Sequence, residues 1–453
     1  MGRATGPDSL GALAAGRAPL KLLVARAPAT SVPNIRPSTP STPPPLPQAE
    51  TTPQPTTPAA SPSNGSKHAA ASGASSPAPS GSNVPSGNSE VSAGEGPSPQ
   101  AAKAKLPAIK HIFVVMLSDE PYATAFGPAS PARYLAGTLE KQGQLLVRYY
   151  SVAHEGLANR IALLSGQGPT EASAANCPIY GPVAPASVGA DGQSIGNGCV
   201  YPASTKTLMG QLASKHLTWK AYVEGIGEGS GSAAACAHPT LGMTDPSATQ
   251  TPGETLPSYE TWRNPFVYFQ AVAGSPTCAT HDVGVRGLGH DLASEARTAN
   301  FTYVAPGMCD DGSPTACAPG KASGMVAADA FLRKNVSLIL SSEAYKKDGL
   351  LAITVDEAPT TGEYADSSSC CGQPRFPNLP APTGTAALPP PGGGQVGLLL
   401  LSPFIKKGGG LAQETYNHFS LLATVEQVFG LERLGYAGLP EVKPLSPTLF
   451  AGG

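Results

Sequence analysis

Two stretches of the chain are apolar almost without interruption, Ile112-Phe-Val-Val-Met-Leu117 and Val396-Gly-Leu-Leu-Leu-Leu401. Continuous rather than alternating runs of this length are the pattern of strands covered on both faces. With shorter apolar runs they predict strands over 111–117, 144–149, 217–223, 300–304, 349–355 and 395–401. Between them the spacing becomes helical. Leu208, Met209 and Leu212 share a face in 203–216; Val326, Phe331, Val336 and Leu340 do so in 326–341; Leu421, Leu422, Val425 and Phe429 do so in 418–429. Strands alternating with helices predict an α/β domain around a mostly parallel sheet, with ligands bound beyond the carboxyl ends of its strands.

Composition limits where that domain lies. No Phe, Tyr, Trp or Cys precedes Phe113, and 17 prolines fall between Pro28 and Gln100 among Ser, Thr, Ala and Gly. Such a segment has too little apolar surface to offset its ordering entropy. The expected organisation is an atypical N-terminal segment over 1–27, a disordered Pro/Ser/Thr/Ala-rich linker over 28–103 and one domain over 104–453. The formal charge of −2 gives no basic patch for nucleic acid, and no apolar run is long enough to span a membrane. All 8 cysteines follow residue 103, without the C-x-x-C spacing of zinc sites, so disulfides in an oxidising compartment are expected. Cys177 with Cys199 and Cys309 with Cys317 are natural short loops, and adjacent Cys370 and Cys371 are expected to bond to separate partners. Cysteines and linker together point to the extracellular space or cell envelope, although 1–27 lacks a good signal-peptide core.

The strand ends carry the candidate chemistry. Ser118, Asp119 and Glu120 follow the first strand, Asp356 and Glu357 follow 349–355, and Ser402 follows the last apolar run. Adjacent carboxylates such as Asp356 and Glu357 repel each other unless a cation or hydrogen-bond donors compensate, and oxygen-rich sets suit a hard divalent ion. His154, His281 and His418 are further candidates, with Asn417 or Thr415 a natural helix cap before the last. Gly192-Gln-Ser-Ile-Gly196 matches the serine-esterase elbow in letters only, since no strand leads into it.

Taken in order, Lys110-His-Ile-Phe-Val-Val-Met-Leu117, His154 to Asn159, Leu164-Ser-Gly-Gln167, Cys309-Asp-Asp-Gly312, Ile353-Thr-Val-Asp-Glu-Ala358 and Tyr416-Asn-His-Phe-Ser-Leu-Leu422 resemble the phosphoesterase family of acid phosphatases and phospholipases C. That family belongs to the alkaline-phosphatase-like superfamily. The resemblance implies a three-layer α/β/α sandwich and metal-dependent hydrolysis of phosphate esters, with phospholipids among the candidate substrates. It implies catalytic roles for His154, Asn159, His281 and His418, and divalent-metal ligation by Asp119, Asp356, Glu357 and Asp311. The chain departs from the family pattern at three places. Ser118, Asp119 and Ala123 stand where a Glu, an Asn and a later Asp are usual, Gly156 where many members have Ser, and Asp310 where His is usual. Those departures define the alternative, a catalytically degenerate exported binding protein that keeps the fold.

Overall fold

The computed structural model describes residues 106–228, 232–249, 259–314, 320–380, 391–408 and 410–450. The N-terminal segment, the linker and Cys317 lie outside the described residues.

Eight strands form the main sheet: β1 (His111–Leu117), β2 (Gln144–Leu146), β3 (Trp219–Val223), β4 (Asp282–Gly284), β5 (Phe301–Ala305), β6 (Gly349–Val355), β7 (Leu398–Leu401) and β8 (Gly410–Ala412). Their order across the sheet is β8-β2-β7-β6-β1-β5-β3-β4. β1 lies centrally, parallel to both β5 and β6, and every residue of β1 and β6 is buried. This is the covered-on-both-faces strand that an unbroken apolar run predicts.

The structure shifts two of the expected strands. The run 144–149 is broken after Leu146, and Tyr149–Tyr150 pairs instead with Tyr416–Asn417 in a separate two-stranded ladder. The other change reverses a direction. β7 is antiparallel to both β6 and β2, so Ser402 emerges at the edge where β6 begins and its hydroxyl donates to the Gly349 carbonyl at 2.7 Å. Ser402 is therefore no longer a strand-end candidate, and the segment leading into β7 takes its place.

Among the described residues the four longest helices are α1 (Gly156–Ser165), α2 (Leu208–Ser214), α3 (Gly324–Ser341) and α4 (His418–Phe429). α1 and α4 pack on each other, whereas α3 packs against the turns at Leu135–Leu139, Leu288–Asp291 and Glu343–Asp348. The α/β/α sandwich read from the sequence is thus the fold. α3 starts earlier than its apolar spacing suggests and turns Val326 outward, 52% exposed, while Met325, Ala328, Leu332 and Ile339 join Phe331 and Val336 in the core. α4 opens with a reciprocal cap: the Asn417 side chain accepts from the Ser420 N–H, and the Ser420 hydroxyl accepts from the Asn417 N–H.

Disulfides join Cys177 to Cys199, as expected, and Cys236 to Cys278. Cys370 bonds to Cys371, against the expectation of separate partners. No cysteine among the described residues is left free to take either of them.

Candidate active site

Because β1, β5 and β6 are parallel neighbours, their carboxyl ends deliver Ser118, Asp119, Glu120, Asp311, Asp356 and Glu357 to one edge of the sheet. The loop 151–155 before α1 closes over them. Asp119 and Glu155 are held at φ of 51° and 69°, a left-handed conformation that costs a non-glycine residue roughly 1–3 kcal/mol and clusters at functional sites.

Asp356 is fully buried, and both its oxygens are engaged. Oδ2 accepts from the Ser118 hydroxyl at 3.0 Å and from Arg160 Nε at 3.0 Å, with Arg160 Nη2 at 2.8 Å; Oδ1 accepts from the Asp119 N–H at 3.2 Å. Arg160 lies in the N-terminal half of α1, has no exposed surface, and also donates to the Tyr303 hydroxyl at 2.9 Å. Burial alone would weaken its charge, but Tyr303, Asp356 and Asp311 outweigh burial and hold its pKa above the usual value.

Asp311 repeats the arrangement. Its Oδ2 accepts from Arg263 Nε at 2.6 Å and its Oδ1 from the Ser313 N–H at 2.9 Å. Arg263 also pairs with Glu260 and lies over the Trp262 ring, 3.9 Å from its centroid.

These contacts decide how well the four expected metal ligands fit a cation. Asp356 and Asp311 each accept from protein donors on both oxygens and are each paired with a buried guanidinium group. Among the described residues, the one group of three His, Cys, Asp or Glu whose ligand atoms lie within 4.8 Å of each other is Cys236, Cys278 and Asp282, and both of its sulfurs are in a disulfide. Asp119, Asp311, Asp356 and Glu357 do not fit a metal ion as a set.

The acids left without arginine partners feel each other. Asp119 is pushed up to about 6 by burial and then by Asp356, Asp311 and Glu155. Burial, followed by Asp119 and Asp311, lifts Glu120 to about 8. Glu357 is raised well above the carboxylate range by burial and by Asp356 and Glu155, although the Glu155 N–H donates to its Oε2 at 2.7 Å.

The expected catalytic residues divide. His154 sits at the mouth with its side chain 20% exposed, Nδ1 3.4 Å from Glu357 Oε2 and Nε2 2.8 Å from the Ser367 hydroxyl. Burial lowers its pKa, against a hydrogen bond to the Ala358 carbonyl and the charge of Asp366. Asn159 lies beneath: its Oδ1 accepts from the Val152 and Ala153 N–H groups and its Nδ2 donates to the Ala153 carbonyl, so it shapes the loop that carries His154. His418 is fully buried between the Tyr149 hydroxyl at 2.9 Å, the Ser151 hydroxyl at 3.2 Å and the Asp356 carbonyl at 3.1 Å. Burial lowers it to about 4, so it is neutral and braces Asp356 from below. His281 is elsewhere. It stacks on Trp219 at the start of β3, toward the opposite edge of the sheet, and bonds to the Thr277 carbonyl.

Sequence reasoning missed Arg160, Arg263 and Ser367. Arg160 had a signal, since an arginine inside the run Gly-Leu-Ala-Asn-Arg-Ile-Ala-Leu-Leu is a charge that needs a buried partner. Ser367 lies in a polar loop with no pattern to mark it.

A mostly parallel sheet covered by helices, with a polar mouth at the carboxyl ends of its central strands, defines an α/β protein of the ligand-binding or catalytic kind. The Phosphoesterase family profile matches residues 129–432, and the chain belongs to that family. No curated protein matches it. Similar solved structures include an alkaline phosphatase superfamily protein from Vibrio parahaemolyticus (12% identity, covering 76% of this chain and 72% of that one, TM-score 0.41). Another is the phosphonate monoester hydrolase of Agrobacterium radiobacter (13%, 76% and 78%, TM-score 0.40). A third is a putative sulfatase from Bacteroides thetaiotaomicron (11%, 76% and 75%, TM-score 0.43).

Proposed function

We propose that the protein hydrolyses phosphate-type esters at the mouth beyond β1, β5 and β6, with His154 carrying the proton to the leaving oxygen. The observation behind this role is access. Of the three candidate histidines, His418 has no exposed surface and His281 lies at the far edge of the sheet, while His154 reaches the opening. An imidazole there is a suitable acid–base group near neutral pH. Family membership supports ester hydrolysis in general. The metal dependence expected from the resemblance finds no support in donors that arginine already occupies, so no step is assigned to a cation.

A second reading has its own observation. Arg160 and Arg263 neutralise the two acids that a metallohydrolase would leave free, as expected of an exported binding protein that kept the fold. The disulfides are compatible with export, and no helix of the described residues is long and apolar enough to cross a membrane.

The test is turnover of p-nitrophenyl phosphate and of bis(p-nitrophenyl) phosphate by the full chain, with divalent cations and with a chelator. His154→Ala is expected to lower it by about 10²–10⁴-fold. Background-level signals from wild type and variant alike would leave the binding protein as the better reading.

A further inference from the structure

We propose that Ser367, His154 and Glu357 form a nucleophile–base–carboxylate relay that cleaves uncharged carboxylic esters. His154 is 203 positions from Glu357 and 213 from Ser367, yet the fold places the serine hydroxyl 2.8 Å from Nε2 and the glutamate oxygen 3.4 Å from Nδ1 of one imidazole. Roles follow from which nitrogen faces what. Nδ1 looks at Glu357, and the ring also donates to the Ala358 carbonyl. With the proton on Nδ1, Nε2 keeps a lone pair for the serine O–H, the tautomer a general base requires.

Ser367 is exposed, as an attacking group must be, but its backbone is fixed. Its carbonyl accepts from the Gly392 N–H at 2.9 Å. The neighbouring Asp366 carboxylate takes the Ser368 and Gln395 N–H groups, each at 2.8 Å. The Cys370–Cys371 bond lies a few residues on, and Cys370 Sγ is 3.3 Å from the Tyr416 carbonyl. The loop is thus tied on both sides of the serine.

In the first half-reaction the Ser367 oxygen bonds to the acyl carbon while its proton passes to His154 Nε2. The carbonyl electrons move to oxygen and return as the bond to the alcohol oxygen breaks, and the alcohol leaves with the proton from Nε2. In the second, water gives a proton to Nε2 and bonds to the acyl carbon, and Ser367 departs and recovers that proton. Ester and water become acid and alcohol, with no other reactant. Glu357 acts through His154, as a positioning residue that holds the ring.

The mouth selects for low charge. Glu357 and Asp366 face the imidazole, and the nearby arginines are buried and already paired. A phosphate dianion approaches against the Asp366 carboxylate; an uncharged ester does not. The relay shares His154 with the phosphoesterase reading but not its substrate.

The experiment treats the full chain with a fluorophosphonate probe, maps the adduct by peptide mass spectrometry, and follows p-nitrophenyl butyrate turnover. The expected result is an adduct on Ser367 that is absent in Ser367→Ala and sharply reduced in His154→Ala. Ester turnover should fall about 10³-fold or more in Ser367→Ala with an unchanged melting curve. Glu357→Gln should lower kcat with little change in KM, and Glu357→Asp should restore part of it. No adduct at Ser367, or butyrate turnover indifferent to Ser367→Ala, overturns the proposal. If either happens while phosphate-ester turnover is lost in His154→Ala and kept in Ser367→Ala, the relay fails and the phosphoesterase reading stands.

Discussion

Arg160 has no contact with water, so its charge must be matched inside the protein, and Asp356 is the partner that matches it. Removing one member of a buried pair strands the other at about 3–5 kcal/mol. Asp356→Asn is therefore expected to lower the urea midpoint by that equivalent, and neither chelator nor added cation should move the midpoint of wild type. A cation-dependent shift in wild type that the substitution abolishes would refute the pairing. Gly156 gives a second residue-level prediction. A Cβ there would run into Asp356 Oδ2 and the Trp262 ring, so restoring the family's serine by Gly156→Ser should destabilise by about 1–3 kcal/mol and add no activity. Gain of turnover in that variant would show that the neighbours can yield. The sequence already showed that Asp356 and Glu357 needed a compensating cation or hydrogen-bond donors. That the cation is Arg160 was not legible, because 196 positions separate it from Asp356 and only the fold closes that distance.

At the scale of elements, the unbroken apolar runs were reliable guides to the strands of the sheet, since burial on both faces leaves no polar positions. They were poor guides to direction. Nothing in Val396-Gly-Leu-Leu-Leu-Leu401 says that β7 runs against its neighbours, and that orientation alone removes Ser402 from the site. The start of α4 was legible from Asn417, whereas the fate of the next residue was not. His418 lies at the first position of a buried helix and ends as a neutral brace. Its pH consequence can be measured. An unfolded histidine takes its proton near 6.5, but folded His418 resists until about 4, so this contribution to stability is present above about 6.5 and is lost as pH falls toward 4. His418→Asn removes that loss, so its Tm relative to wild type should rise as pH falls from about 6.5 to about 4; an unchanged difference would refute the neutral, buried imidazole.

Across the whole molecule the buried acids act in the opposite sense. Burial raises Glu120 to about 8 and Glu140, Glu224, Glu426 and Asp282 to about 7. Each keeps its proton in the fold where the unfolded chain would release it near 4, so its stabilising contribution is full below that pH and is lost as pH rises through 7 and 8. These five acids outnumber His418, whose contribution runs the other way, so their balance lowers stability as pH rises from about 5 to about 8. Tm should fall between about pH 5 and pH 8, and less steeply in Glu120→Gln. A flat profile over that range would contradict these assignments. The same fold accounts for how the site charge is supplied. A guanidinium on a helix is encoded in the gene: it comes with every copy of the polypeptide at a ratio of one, and it cannot be stripped by a competing binder or left out for want of supply. The Arg160–Asp356 pair is therefore complete in every folded copy, whatever ions the medium supplies.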